Sequence, residues 1–127
     1  MVEGETLPEL IRGPISRATL ALFAGASHDH VPLHTDSDFA RAAGMDDVFA
    51  HGMLSMAYLA QALRSWVPAD RLLDWNVRFT AITPLHATVH CRGHVVEVDG
   101  KRARLSIGAW TDQGIQTLSG EAFVAID

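Results

Sequence analysis

Apolar positions in this chain repeat with one period up to residue 67 and with another beyond it. In RATLALFAGA, from Arg17, the residues Leu20, Phe23 and Ala24 fall on one helical face, and Ser16 in front of them offers an N-capping hydroxyl. This spacing predicts a short helix over 17–25, after an irregular lead-in through Gly4, Pro8, Gly13 and Pro14 that leaves room for one short edge strand. A second short helix is expected in DFARAA, capped by Asp36 or Ser37 and stopped by Gly44. From His51 to Val67 the run HGMLSMAYLAQALRSWV is apolar on nearly every side, the pattern of a buried helix, and Pro68 closes it.

After Pro68 the period drops to two. DWNVRFTAI, TVHCRGHVVEV, RARLSIGAWT and TLSGEAFVAI read as strands, with hairpin chemistry at Asp99-Gly100 and at Asp112-Gln113-Gly114. Short connections imply antiparallel pairing, so a meander of about four strands is expected, with one face in need of cover. Only the helix over 51–67 is apolar enough to supply it. The expected class is therefore α+β, one long helix against one curved antiparallel sheet. A chain of 127 residues suits a single domain over 1–127.

Composition removes some functions without naming one. Hydrophobic residues make up 48% and charged residues 20%, the balance of a globular chain. A formal charge of −5 gives no basic footprint for nucleic acid. No charged start leads into a long apolar run, so neither a signal peptide nor a membrane span is expected, and the lone Cys91 cannot close an internal disulfide. These features point to a cytoplasmic protein. Cys91, in an alternating segment between His90 and Arg92, reads as a packed strand residue rather than a nucleophile.

The chemistry concentrates in SHDHVPLHTD at 27–36, which holds three of the seven histidines together with Asp29 and Asp36. His28, His30 and His34 have the HxHxxxH spacing of some metal sites, and imidazole suits zinc, iron or copper. Such a site needs alternating strand positions and further converging ligands, whereas Pro32 argues for a loop and no matching strand motif follows. No metal is expected. Downstream lies VFAHGML at 48–54, where the long helix begins.

Together the two segments resemble the MaoC-like or (R)-specific enoyl-CoA hydratases, a family that includes mycobacterial 3-hydroxyacyl-ACP dehydratase subunits. The family pattern is S-G-D-x-N-P-x-H-x-D followed by A-H-G-M-L; this chain has S-H-D-H-V-P-L-H-T-D and A-H-G-M-L at the family's usual spacing. NVRFTAITPL also looks like the family's strand after the central helix, so the resemblance extends over about 15–126. It implies a hot-dog fold, in which an antiparallel sheet wraps a central helix, generally as a dimer. It also implies trans-2-enoyl thioester substrates on CoA or an acyl-carrier protein, with no cofactor, and (R) stereochemistry.

Residue by residue, the resemblance makes Asp29 the catalytic aspartate, His34 the catalytic histidine and Gly52 the glycine whose backbone N–H holds the thioester oxygen. Val31, His51 and Met53 would lie near the substrate. Each role has a physical basis. Hydration needs a base for water and a proton for Cα, which an imidazole beside a carboxylate can serve through one bridging water. Gly52 sits at a helix N-terminus, where unpaired N–H groups favour an oxyanion and the missing side chain lets the thioester approach.

Plainer readings stand beside these. Asp29 could be only a turn-forming Asx residue and His34 a satisfied core histidine. Asp36 is assigned as a helix cap, His28 and His30 as flanking residues, and His51 as an orienting hydrogen-bonder. His86, His90 and His94, spaced by four, should share one strand face, exposed or at an interface, and Arg78 serves either a phosphate or the solvent. The chain departs from the pattern at His28, where the family has glycine, and at Val31, where it has asparagine. Two rival functions remain: a hot-dog subunit that binds or stabilises a catalytic partner, so that a heterodimer replaces the homodimer, and a hot-dog thioesterase. The presence of Asp29 and His34 argues against the first, and their spacing against the second.

Overall fold

The computed structural model describes residues 1–127. In chain order its elements are β1 (Leu10–Arg12), α1 (Arg17–Ser27), α2 (Ser37–Ala42), α3 (Gly52–Trp66), β2 (Leu72–Phe79), β3 (Val89–Asp99), β4 (Arg102–Thr111) and β5 (Gln116–Ala125). They form the α+β hot-dog arrangement, a five-stranded antiparallel sheet curved around α3. No helix is long and apolar enough to cross a membrane.

Local chemistry sets the helix starts where the sequence places them. The Ser16 side chain accepts a hydrogen bond from the Thr19 N–H and opens α1, and the Asp36 carboxylate accepts from Asp38 and Phe39 and opens α2. Glycines at positive φ, Gly100 and Gly114, turn the two hairpins that join β3 to β4 and β4 to β5.

The sheet order is β1-β3-β4-β5-β2, so the meander covers three strands and not four. β2 pairs with β5 at the far edge instead of with β3. The cause lies in 80–88, which is no hairpin turn: Pro84 forms an isolated bridge with Phe49, and buried Thr83 and Ala87 anchor the segment as it crosses. At the β2–β5 crossing the Asn76 carbonyl occupies the space that a Cβ on Gly120 would need. That close approach sets the line of β2 and carries Phe79 over the start of α3.

The core lies between α3 and the concave sheet face. Leu54, Leu59, Ala62 and Leu63 from the helix meet Val89, Cys91, Val95, Leu105, Ala109, Leu118 and Val124. Burying each large aliphatic side chain stabilises the fold by about 1.5–3 kcal/mol, and truncating a fully buried leucine such as Leu59 to alanine costs about 2–5 kcal/mol. Cys91 is fully buried, and burial pushes its thiol up to about 12, as suits a packing residue.

Two expectations need correction. The helix over 51–67 is not buried on every side: Met53, Ala57, Gln61 and Arg64 are exposed, because the sheet wraps only one flank. Nor do three histidines share a strand face. His90 and His94 lie on β3, while His86 sits in the preceding turn at φ 71°.

Candidate active site

Asp29 follows directly on the end of α1. The helix is closed by His28 in the left-handed conformation, φ 59° and ψ 23°, a backbone that glycine adopts without cost and that other residues adopt at a cost. The turn that follows is held by side chains. Asp29 N–H donates to Ser27 Oγ at 3.4 Å, and Asp29 Oδ1 accepts from the Val31 N–H at 3.3 Å. Asp29 is thus an Asx residue through one oxygen, while Oδ2 is turned towards His34.

His34 closes a single 3₁₀ turn that begins at Pro32, with its own N–H on the Val31 carbonyl at 3.1 Å. Its Nδ1 lies 2.7 Å from the Phe49 carbonyl, an acceptor only, so Nδ1 carries the proton and the neutral ring presents a lone pair at Nε2. Nε2 stands 4.0 Å from Asp29 Oδ2, too far for a direct hydrogen bond and short enough for one water to touch both. The His34 side chain is 12% exposed and that of Asp29 41%.

The Phe49 carbonyl is placed by Asp47, whose carboxylate binds Arg17 Nη2 at 2.7 Å, Ser37 Oγ at 2.6 Å and the Val48 N–H at 2.7 Å. These bonds tie α1 and α2 to the segment that leads into α3. The Arg17 guanidinium, then Ser37, hold the Asp47 carboxyl far below the usual carboxylate range.

His51 caps α3 without a side-chain bond to it. Instead its Nε2–H donates to the Asp29 carbonyl at 3.0 Å, and its ring stacks on that of His34, centroids 3.9 Å apart and planes inclined by 23°. The next residue, Gly52, begins the helix, where the first N–H groups have no acceptor within it. A Cβ here would lie 2.9 Å from the Phe79 ring, so the position is kept bare by a neighbour as well as by any ligand.

Beside Gly52 opens a cavity of about 360 Å³, bounded by His34, Phe49, Gly52, Ser55, Phe79 and Thr83 among others. Ser55 and Thr83, both buried, hydrogen-bond to each other at 3.2 Å.

Of the residues singled out in the sequence, Asp29, His34, His51 and Gly52 come together. Val31 does not line the cavity; the residue is 46% exposed, and only its backbone takes part in the turn. Met53 faces a separate apolar groove with Phe23, Met56, Ala57, Ala60 and Trp75. His28 is exposed, as is His30, and Arg78 lies exposed on β2. Phe49, Asp47, Ser55 and Thr83 carried no signal of their own, because a carbonyl acceptor or a buried hydroxyl pair leaves no motif.

Metal ligation takes a different set from the HxHxxxH triplet. Asp29, His34 and His51 offer atoms within 4.8 Å of one another. Two stacked imidazoles, however, aim their lone pairs along nearly parallel planes, and His34 Nδ1 and His51 Nε2 are already spent on carbonyls. Three side chains are also one short of the four ligands of a closed structural site.

A family model for the MaoC-like domain matches residues 3–113. The chain is 30% identical over 118 residues to the (R)-specific enoyl-CoA hydratase of Rhodospirillum rubrum, spanning 88% of this chain and 80% of that protein. Its structure is similar to the unliganded R-hydratase of Pseudomonas aeruginosa, with a TM-score of 0.87 at 28% identity over 100% of this chain and 83% of the other. A second similar structure is the (R)-hydratase from A. caviae involved in PHA biosynthesis, with a TM-score of 0.87 at 25% identity over 100% and 98% of the two chains.

Proposed function

The chain belongs to the MaoC-like family of hydratases and dehydratases, and from that membership we propose that it adds water reversibly to trans-2-enoyl thioesters, giving (R)-3-hydroxyacyl thioesters. The thioester would be carried by CoA or by an acyl-carrier protein. The observation that supports this most is the one-water gap between His34 Nε2 and Asp29 Oδ2 beside the bare N-terminus of α3.

In the hydration direction, water sits in that gap, hydrogen-bonded to the His34 Nε2 lone pair and to Asp29 Oδ2. Its oxygen bonds to Cβ as the Cα–Cβ π pair moves towards the carbonyl. The charge that develops on the thioester oxygen meets the Gly52 N–H and the positive end of α3. One water proton reaches Cα through the dyad, so that the elements of water are added and both side chains return to their starting states.

A dimer belongs to the same proposal. β2 is an edge strand with Leu73 and Phe79 half exposed, and α3 leaves an apolar stripe open above it, so both call for cover by a second hot-dog chain. Light scattering should give twice 13.8 kDa or more. A homodimer is proposed; a monomer that is inactive until a related chain is added would favour the heterodimer. We place the activity in the cytoplasm, in one domain over 1–127, without a metal, so chelator treatment should leave it unchanged.

The test of function is loss of enoyl-thioester absorbance with crotonyl-CoA and longer analogues, using the purified chain. Absence of turnover on every enoyl thioester, from the chain alone or with a related partner, would overturn the proposal.

A further inference from the structure

His51 is 1% exposed, yet it is the one buried side chain with an unpartnered polar atom, Nδ1. A buried imidazole is an expensive choice where leucine or phenylalanine would fill the space. Its Nε2–H is committed to a carbonyl, so Nδ1 is left as an acceptor with no donor, and a proton placed there would be a buried, unpaired charge. The charged or titratable groups that face it are His34, Asp29 and His30, and burial is the main cause that holds its pKa below the ordinary value for histidine. The ring is therefore neutral in one tautomer, wedged between Phe23, in a T-shaped pair with centroids 5.0 Å apart, and the face of His34.

What it touches gives it a use. The N–H reaches a carbonyl 22 residues away, that of Asp29, and the ring face carries His34. No other side chain bonds to the Asp29 backbone carbonyl. Resting on the reading of Asp29 and His34 given above, we propose that His51 is a positioning residue that sets the separation of those two side chains, holding the Asp29 backbone by its N–H and the His34 side chain by its ring. It touches neither water nor substrate; it fixes the gap at the width of one water. Phenylalanine would keep the plane and lose the N–H, whereas glutamine would keep an N–H and lose the plane, so the two duties can be separated.

The experiment is a cycle of His51→Phe, Asp29→Asn and the double variant, assayed on crotonyl-CoA with circular dichroism on each. His51→Phe should lower kcat by roughly tenfold or more, with KM moved by less than about twofold, since transition-state geometry and not ground-state binding is lost. The double variant should be no slower than Asp29→Asn alone, because the N–H acts through Asp29. A defect confined to stability would not show that non-additivity. If His51→Phe does not fold, the same cycle is run with His51→Gln, which should lose kcat through the His34 ring and combine less than multiplicatively with His34→Gln. Near-normal kcat in the folded variant, or losses that multiply in the double variant, would overturn the inference. Near-normal turnover in Asp29→Asn and His34→Gln would instead overturn the reading of the site on which it rests.

Discussion

Asp29 and His34 face each other across 4.0 Å, yet they are held in opposite ways. His34 is almost buried, with Nδ1 on the Phe49 carbonyl, the Phe49 ring in a T-shaped pair at 5.1 Å between centroids and His51 stacked on its face, so its tautomer and plane are set from three directions. Asp29 is far more exposed, and local turn bonds of 3.3 and 3.4 Å steer it together with one long-range bond, to its carbonyl. The histidine is built into the core, while the aspartate is aimed by a loop. A rigid base and an adjustable acceptor would let the water between them follow the reaction without disturbing the base.

On that asymmetry, His34→Gln should be the most damaging change. It removes the Nε2 lone pair and both contacts of the ring, and kcat/KM should fall by at least about a hundredfold, the usual scale for a general acid/base group. Asp29→Asn keeps the shape and the Asx turn, and it too should lose about a hundredfold. Stopped assays on crotonyl-CoA with circular dichroism alongside decide both; an Asp29→Asn loss well beyond that of His34→Gln would reverse the comparison.

A smaller effect is expected at the oxyanion side. Gly52→Ala leaves the N–H in place but pushes its Cβ into the Phe79 ring, which borders the cavity and must give way. We expect kcat/KM to fall by roughly tenfold, on the scale of a displaced rather than deleted group. Adding Phe79→Leu to make room should recover part of it. If recovery is absent, the loss comes from the substrate and not from the ring.

The pH dependence of stability offers a third handle. His51 has a lowered pKa in the folded state, so the unfolded chain binds the proton more readily between that value and about 6.5, the ordinary value. The sign follows: the contribution is fully present above pH 6.5 and is lost as pH falls from there towards the folded value. Denaturant midpoints of the wild type should therefore drop across that window by more than those of His51→Phe. Parallel curves would mean that His51 takes up its proton without opening the core.

Much of this was legible in the sequence because it rests on short-range rules. Caps at Ser16 and Asp36, glycines in the hairpins and the 3.6-residue and 2-residue periods act within a few residues, and the elements appeared where those rules put them. The long helix began at Gly52, as the AHGML motif implies. What stayed hidden depends on distant partners. β2 reads as a strand, but its place beside β5 follows from how 80–88 crosses and from Gly120, which no local pattern reveals. Likewise Phe49 acts through its carbonyl, and Asp47 through an ion pair that ties the segment before α3 to Arg17 at the start of α1. The helix over 51–67 looked buried because methionine and alanine are apolar wherever they face.

His28 and Val31, the two departures from the family pattern, also separate under this view. At φ 59° the His28 backbone is strained, so His28→Gly should raise stability by about 0.5–1 kcal/mol, after allowing for the greater freedom of glycine in the unfolded chain. Thermal unfolding checks it, and no gain would mean that the imidazole repays its strain through contacts on the surface.

Val31→Asn should have the smallest effect of all. An asparagine at this place suggests a lost hydrogen bond beside the dyad, worth about 1 kcal/mol and several-fold in rate if it reached the catalytic water. The structure turns Val31 outwards, 46% exposed, and leaves its N–H on Asp29 Oδ1 and its carbonyl on the His34 N–H, bonds that any residue but proline can make at the donor end. An amide there would meet solvent first. We therefore expect Val31→Asn to change kcat/KM by less than about twofold on short and long enoyl-CoA substrates alike, since exposed changes away from the reacting atoms are near neutral. A several-fold gain across the panel would show that the loop turns this side chain inwards during turnover. A gain for short substrates with a loss for bulky ones would place Val31 against the acyl group. Either result would extend the adjustable half of the site from Asp29 to the whole turn that carries it.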